Sequence, residues 1–237
     1  MLPCFESDWG NPSSQHSKGM EAKDILDDAR ERIAATLGCS AGEIYFTSCG
    51  TEADNWAIRG AAMRMKKKGR THIVTSKIEH HAVLHTCEAL EREGFEVSYC
   101  GVDSDGIVDL DELRSLVTDK TAVVAIMYAN NEIGTIQPID EIVEIAHEKG
   151  ALMFTDAVQA VGHIDVDLSK TRVDMLALSG HKLSPRKHPV MQSHYAHASL
   201  PFLIADSRSS LFYLSSTGLS SLINPRQFPF LLQTVLW

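Results

Sequence analysis

The sequence predicts an α/β fold in which a mostly parallel sheet carries helices on both faces. Apolar strand-like segments alternate with amphipathic helical segments from residue 19 to residue 179. Helices of these lengths between strands are typical of the crossover connections that parallel strands require. The chain has 237 residues, of which 44% are hydrophobic, so it is long enough to bury one large core.

The first helix is predicted over residues 19–38, where Ile25, Ala29, Ile33 and Leu37 recur at a spacing of four and Gly38 ends the pattern. A short strand over residues 43–48 follows it. The later elements are expected as helix 51–69, strand 71–76, helix 82–94, strand 95–102, helix 109–117, strand 121–129, helix 139–150, strand 151–157 and strand 173–179.

Charge and cysteine content narrow the classes of function. The net charge of −9 argues against a surface for nucleic acids or anionic membranes, and favours small-molecule chemistry. The sequence shows neither a long apolar run nor a secretory signal pattern, so we expect a cytoplasmic protein. Five cysteines without CxxC spacing indicate reduced thiols, and not a disulfide framework or a zinc site.

The pattern changes after residue 182. Residues 183–237 hold five of the eight prolines, ten serines and a single acid, Asp206, and they show no amphipathic period. We therefore predict a folded domain over residues 1–182 and an anomalous tail over 183–237. The favoured explanation is a reading-frame shift near Ser184 that leaves residues 185–237 out of frame or disordered, and the alternative is a genuine divergent tail.

Polar groups follow several predicted strands, which is where parallel sheets bind ligands. Gly50 and Thr51 lie between a strand and a helix, where free N–H groups suit a phosphate, although Thr is also a common helix cap. His81 and His85 share a helix face, but no third ligand is spaced to complete a metal site, so none is predicted.

Other strand ends carry amides, an acid and an amine. Asn130 and Asn131 can orient a planar ligand or simply turn the chain. Asp156 ends an apolar strand and needs a cation or hydrogen-bond donors, and Gln159 follows it. Lys182 follows the last strand and can form a Schiff base with an aldehyde. An amine, an acid and a phosphate cup together indicate pyridoxal phosphate chemistry.

Six motifs in order carry a family resemblance: GNPSSQH, FTSCGTEADN, EHHAV, NNEIGTIQP, DAVQAVGH and VDMLALSGHK. They closely resemble the cysteine desulfurases of the class V aminotransferase superfamily, over roughly residues 1–184. The resemblance implies the large, cofactor-binding domain of a fold type I pyridoxal 5′-phosphate enzyme and a homodimer, whose formation we expect to be weakened in this chain because the C-terminal quarter differs.

The resemblance also implies a role for each matching residue. Lys182 would bind the cofactor and then move the substrate's alpha proton, and His80 would stack on the ring and assist proton transfer. Asp156 would pair with the pyridinium nitrogen. The remaining assignments are Asn131 and Gln159 for the substrate or the ring oxygen, and Gly50, Thr51, Ser179 and His181 for the phosphate.

The implied reaction converts L-cysteine to L-alanine and passes sulfur as a persulfide to acceptor proteins for iron–sulfur cluster or thionucleotide biosynthesis. The chain departs from the family because its start lies past the usual Asn-Ala-Ala-Thr segment, the C-terminal small domain is missing, and no cysteine follows Cys100. We therefore expect this chain to be inactive alone. The alternatives are selenocysteine lyase or another class V aminotransferase-like enzyme, and a catalytically dead fragment that acts only by binding a partner.

Overall fold

The structure is a computed structural model that describes residues 6–182 and 201–205. These residues divide into two compact units, a larger one that begins at Arg30 and a smaller one that ends at Ala29. All of the predicted site residues belong to the larger unit. Within the described residues, no helix is long and apolar enough to cross a membrane.

Five helices and seven strands make up the described secondary structure, apart from short 3-10 turns. The helices are α1 Ser17–Leu37, α2 Gly50–Lys66, α3 His81–Arg92, α4 Leu110–Leu116 and α5 Ile139–Glu148. The strands are β1 Ile44–Phe46, β2 His72–Ser76, β3 Glu96–Cys100, β4 Thr121–Ala125, β5 Leu152–Asp156, β6 Met175–Ser179 and β7 Pro201–Ala205. Every helix and strand predicted from the sequence is present.

Local chemistry explains where the helices begin and end. The carboxylate of Asp109 accepts hydrogen bonds from the backbone N–H groups of Asp111 and Glu112, which caps the start of α4. Helix α1 stops before Gly38, whose φ of +71° is a left-handed conformation that glycine adopts at little cost.

The strands form one sheet in the order β1-β7-β6-β5-β4-β2-β3. Strands β6, β5, β4, β2 and β3 are parallel to one another, whereas β7 is antiparallel to both β1 and β6. The predicted fold class, a mostly parallel α/β sheet, is confirmed. Because β4 lies between β2 and β5, the loops that follow these three strands share one edge of the sheet.

Both faces of the sheet are buried. Val74, Val124 and Met153 lie in one apolar cluster with residues of α1, α4 and α5. Their neighbours along the strands, such as Ile73 and Val123, are also fully buried and point to the opposite face. Helix α2 packs on the sheet against β4, β5 and β6. These helices fix the strand ends that carry the candidate site.

One strand was not predicted from the sequence. Residues Pro201–Ala205 form β7, which lies in the segment where we expected no regular element. A run of five apolar residues has no period that separates it from a buried helix or loop, so pairing with β1 and β6 decides its conformation. Residues 183–200 and 206–237, on which the expected frame shift mainly bears, lie outside the described residues.

Candidate active site

The predicted site residues collect at the carboxyl edge of the sheet. His80 follows β2, Asn131 follows β4, and Asp156 is the last residue of β5. Lys182 follows β6, in the 3-10 turn Gly180–Lys182. Because β2, β4, β5 and β6 are consecutive parallel strands in the sheet, their carboxyl ends lie side by side. This is the edge at which such sheets bind ligands.

The N-terminus of α2 lies at the same edge. A Cβ atom built on Gly50 would be 3.6 Å from Cγ2 of Val158, two residues after Asp156. Helix α2 begins at Gly50, and Thr51 is exposed. The first N–H groups of a helix lack partners within the helix and carry its positive dipole end, so this position suits an anion such as phosphate.

Asp156 is buried in the site and makes a backbone hydrogen bond. Its side chain is buried, and Oδ1 accepts a hydrogen bond of 2.9 Å from the backbone N–H of Val158. Burial raises the pKa of Asp156, while the Val158 N–H and the nearby His80 oppose that shift. A carboxylate in this setting favours a cationic or hydrogen-bond-donating partner.

His80 faces this acid from the neighbouring loop. It is the N-cap residue of α3, its side chain is exposed, and Nδ1 accepts a 3.2 Å hydrogen bond from the N–H of Ala82. The neutral imidazole therefore carries its proton on Nε2. A ring nitrogen of His80 and carboxylate oxygens of Asp54 and Asp156 all lie within 4.8 Å of one another. The three side chains form a compact group in which the two acids are buried and the histidine is exposed.

Asp54 is a member of this group that the sequence analysis missed. Its side chain is only 2% exposed, and Oδ1 has no hydrogen-bond partner among the described residues. Burial raises the pKa of Asp54 well above its usual range, and the charges of Asp156, Glu79 and Cys49 raise it further. The helical spacing of the sequence could have indicated its burial, because position 54 lies on the same face of α2 as the apolar Ala57, Ile58 and Ala61.

Glu79 is a second buried acid that the sequence analysis did not assign. Oε1 accepts hydrogen bonds from Oγ of Ser76 at 2.6 Å and from the N–H of Met127 at 2.9 Å. Oε2 is buried without a partner among the described residues. Burial, only partly opposed by these two hydrogen bonds, raises the pKa of Glu79 to about 8. Glu79 therefore ties the loop that carries His80 to the chain that follows β4.

The two asparagines after β4 differ in their surroundings. The Asn130 side chain is buried, donates to the carbonyl of Ile78 and accepts from the N–H groups of Glu132 and Ile133. Asn131 is exposed, and its side chain makes no hydrogen bond with other described residues. The geometry thus assigns the turn to Asn130 and leaves the Asn131 amide available for a ligand.

The remaining predicted residues occupy positions around the acid. Gln159 is half-buried in the turn three residues after Asp156. Ser179 is buried at the end of β6. Asp156 is the register partner of Ala177, so the Gly180–Lys182 turn follows just beyond that point on the adjacent strand. His181 lies in this turn, and the Lys182 side chain is exposed.

The histidine pair on α3 lies apart from the acids. The rings of His81 and His85 are exposed and stacked, with centroids 5.6 Å apart. Within the described part of the chain, no third ligating side chain joins them.

Comparison with known proteins agrees with this arrangement. A family profile described as aminotransferase class-V matches residues 2–185. The chain is 51% identical over 182 residues to the cysteine desulfurase IscS of Clostridium botulinum strain Hall, which covers 77% of the chain and 46% of that relative. The chain therefore spans about half the length of the curated relatives it matches.

Two solved structures share the fold. The chain superposes on a NifS-like protein with a TM-score of 0.79 and 38% identity, over 87% of this chain and 54% of that one. It superposes on SspA in complex with cysteine with a TM-score of 0.78 and 35% identity, over 90% and 58% of the two chains. The matched region includes every predicted site residue, and the chain belongs to the aminotransferase class-V family.

Proposed function

We propose that this chain provides the cofactor-binding domain of a pyridoxal 5′-phosphate-dependent cysteine desulfurase. The observation that carries the proposal is the buried carboxylate of Asp156, which lies within 4.8 Å of a His80 ring nitrogen at the sheet edge where α2 begins. Similarity to cysteine desulfurases, and to SspA, whose structure was solved in complex with cysteine, supports cysteine as the substrate.

The residues present fit the cofactor. Two buried carboxyl oxygens, Oδ1 of Asp54 and Oε2 of Glu79, lack hydrogen-bond partners among the described residues. Uncompensated acids at such depth are costly, so the site favours a donor or a cation. A pyridine ring protonated on nitrogen would bring such a positive charge to Asp156, beside these acids. The N-terminus of α2 and Thr51 suit its phosphate at the other end.

Each side chain has one task in the proposed site. Pyridoxal phosphate, when bound, supplies a ring that accepts electrons from the substrate carbon. Asp156 would keep the ring nitrogen protonated, and His80 would cover the ring face and hold a proton on Nε2. The Lys182 amine would bond to the aldehyde carbon and, once released, move the alpha proton. Asn131 and Gln159 would donate amide hydrogen bonds.

The second half of the site holds the phosphate. Gly50 and Thr51 would offer the first N–H groups of α2, and Thr51 would add a hydroxyl group. Ser179 and His181, which flank Gly180 after β6, would approach from the adjacent strand. Contacts from two elements would fix the orientation of the ring above Asp156.

The proposed reaction balances without an added oxidant. The carbon–sulfur bond of L-cysteine breaks, a sulfur–sulfur bond forms on an acceptor thiolate, and a proton takes the place of sulfur on the beta carbon. The products are L-alanine and a persulfide. Family members pass this sulfur to acceptor proteins, which we propose as partners of the complete protein, together with a second copy of the chain.

We propose that neither of the two buried cysteines, Cys87 and Cys100, takes the sulfur in this transfer. All five cysteines lie within the first 100 residues. Cys87 and Cys100 are buried, and burial raises the pKa of both thiols to about 12. Neither thiol is ionised near neutral pH, and the attacking species must be a thiolate.

Reconstitution with pyridoxal phosphate tests the proposal. We expect a visible absorbance band of lysine-bound cofactor in the wild-type chain, its loss in Lys182→Ala, and no change in Lys120→Ala, which removes an exposed lysine at the opposite, amino edge of β4. A band that survives Lys182→Ala, or no band in the folded wild type, would overturn it. Alanine release from cysteine by the chain alone would refute the expected lack of turnover.

A further inference from the structure

Asp54 enters the site from α2, the helix whose first residues, Gly50 and Thr51, the resemblance assigns to the phosphate. It lies in the first turns of α2, beside the fully buried Ala53 and Ala57, and only 2% of its surface is exposed. A side chain so enclosed by helix packing cannot turn its carboxyl group to solvent. Oδ1 nevertheless finds no hydrogen-bond donor among the described residues.

Asp156 is a second acid close to Asp54. Carboxylate oxygens of Asp54 and Asp156 and a ring nitrogen of His80 lie within 4.8 Å of one another. Two carboxylates this close in a buried site repel each other, which favours a state in which one of them keeps a proton. The other titratable groups that face Asp54 are Glu79, from the loop after β2, and Cys49, which precedes α2.

The surroundings decide which acid keeps the proton. Asp156 accepts a backbone hydrogen bond from Val158 and lies by His80, and both favour its ionised form. Asp54 also lies within 4.8 Å of His80, but its Oδ1 has no hydrogen-bond donor among the described residues, and the acids Asp156 and Glu79 face it. The asymmetry leaves Asp156 as the ion and Asp54 as the neutral acid.

We propose that Asp54 is a positioning residue that stays a neutral carboxylic acid and donates its O–H to the Asp156 carboxylate, aiming that charge at the cofactor's ring nitrogen. This inference rests on the proposed function and deepens it. Asp54 is not expected to touch the substrate or the cofactor. It keeps the net charge of the acid pair at −1, which one protonated ring nitrogen neutralises.

Infrared difference spectroscopy of the cofactor-free chain at pH 7 tests the protonation state directly. Replacing Asp54 with Asn keeps the shape and a hydrogen-bond donor, so the wild-type-minus-Asp54→Asn spectrum should show the loss of a carboxylic acid carbonyl band. The matched control, Asp111→Asn at an exposed position in the first turn of α4, should instead lose a carboxylate band. Loss of a carboxylate band in Asp54→Asn would overturn the proposal.

A second measurement needs no variant. Carbon-13 NMR of the wild-type chain, labelled at the aspartate carboxyl groups, should show one aspartate in the folded region that remains protonated at pH 7. A spectrum in which no aspartate is protonated would overturn the proposal. This result also decides the matter if Asp54→Asn fails to fold.

Cofactor affinity tests the positioning role. Asp54→Asn should bind pyridoxal phosphate within about threefold of wild type, and Asp54→Ala about 10- to 100-fold more weakly, because a hydrogen bond to a charged group is lost. Equal affinity of folded Asp54→Ala and wild type would overturn the role. Failure of the wild type to bind cofactor would instead refute the proposed function. The infrared result would still report the protonation state of the Asp54–Asp156 pair.

Discussion

Replacing Glu79 with Gln should invert the order of stability between acid and alkaline pH. Glu79 is buried, and its pKa rises from the ordinary 4.5 to about 8 in the folded chain. The folded state therefore binds a proton that the unfolded state releases above about pH 4.5. This difference costs nothing below that pH, grows by about 1.4 kcal/mol per pH unit, and levels off at about 5 kcal/mol above pH 8.

The Gln variant removes this pH dependence but keeps most of the contacts. Its amide oxygen can still accept from Ser76 Oγ and the Met127 N–H, as Oε1 of Glu79 does. Its amide N–H₂ group occupies the place of Oε2, which has no partner among the described residues, and costs about 1–3 kcal/mol. We expect the variant to be less stable than wild type at pH 5 and more stable at pH 9.

Urea unfolding of the cofactor-free chain between pH 5 and pH 9 provides the measurement. The free energy of unfolding of Glu79→Gln minus that of wild type should rise by about 1.4 kcal/mol per pH unit between about pH 5 and pH 7.5. Glu88→Gln is the matched control, since it makes the same substitution at an exposed position of α3. A flat difference for Glu79→Gln would show that the folded chain does not hold this proton.

Two further predictions each compare residues of one type, cysteines in the first and asparagines in the second. An alkylating reagent at pH 8 should modify the exposed Cys49 before Cys87 and Cys100, because burial raises the pKa of these two thiols to about 12. Equal rates of modification, measured by mass mapping, would contradict this prediction. Asn130→Ala should lower the free energy of unfolding by about 2–4 kcal/mol, because buried hydrogen bonds are lost, whereas Asn131→Ala should change it by less than about 0.5 kcal/mol. Chemical unfolding measures both variants, and equal losses would refute the division of roles.

The periodic elements could be predicted because each is encoded by its own residues. The strand predicted over residues 121–129 shows how much of an element its own residues determine. Strand β4 ends at Ala125, yet the N–H groups of Ile126 and Tyr128 still donate to carbonyls of Phe154 and Asp156. The extended conformation was therefore predicted correctly, while the end of the regular ladder depends on neighbouring strands.

The site could be predicted only in part because its members meet through sheet order. The sequence shows that His80 and Asp156 each follow an apolar strand, but it does not show that β4 alone separates those strands in the sheet. Asp54 and Glu79 were missed for the same reason. An acid on an apolar helix face or before a helix acquires a role only when packing places another acid beside it.

The three buried acids bear on the charge of the ligand that the proposed site would bind. Fully ionised, Asp54, Glu79 and Asp156 would put three negative charges in a region of low polarisability. Burial raises the pKa of all three, and Asp156 alone of them has both a backbone donor and the nearby His80 to favour its ionised form.

Near pH 7 the protons on Asp54 and Glu79 would leave one negative charge, on Asp156. A protonated ring nitrogen carries one positive charge, so its binding would neutralise the pocket without displacing either proton. A doubly charged ion would have to expel those protons first. Under the proposed protonation of Asp54 and Glu79, residues outside the reaction would set the charge of the ligand.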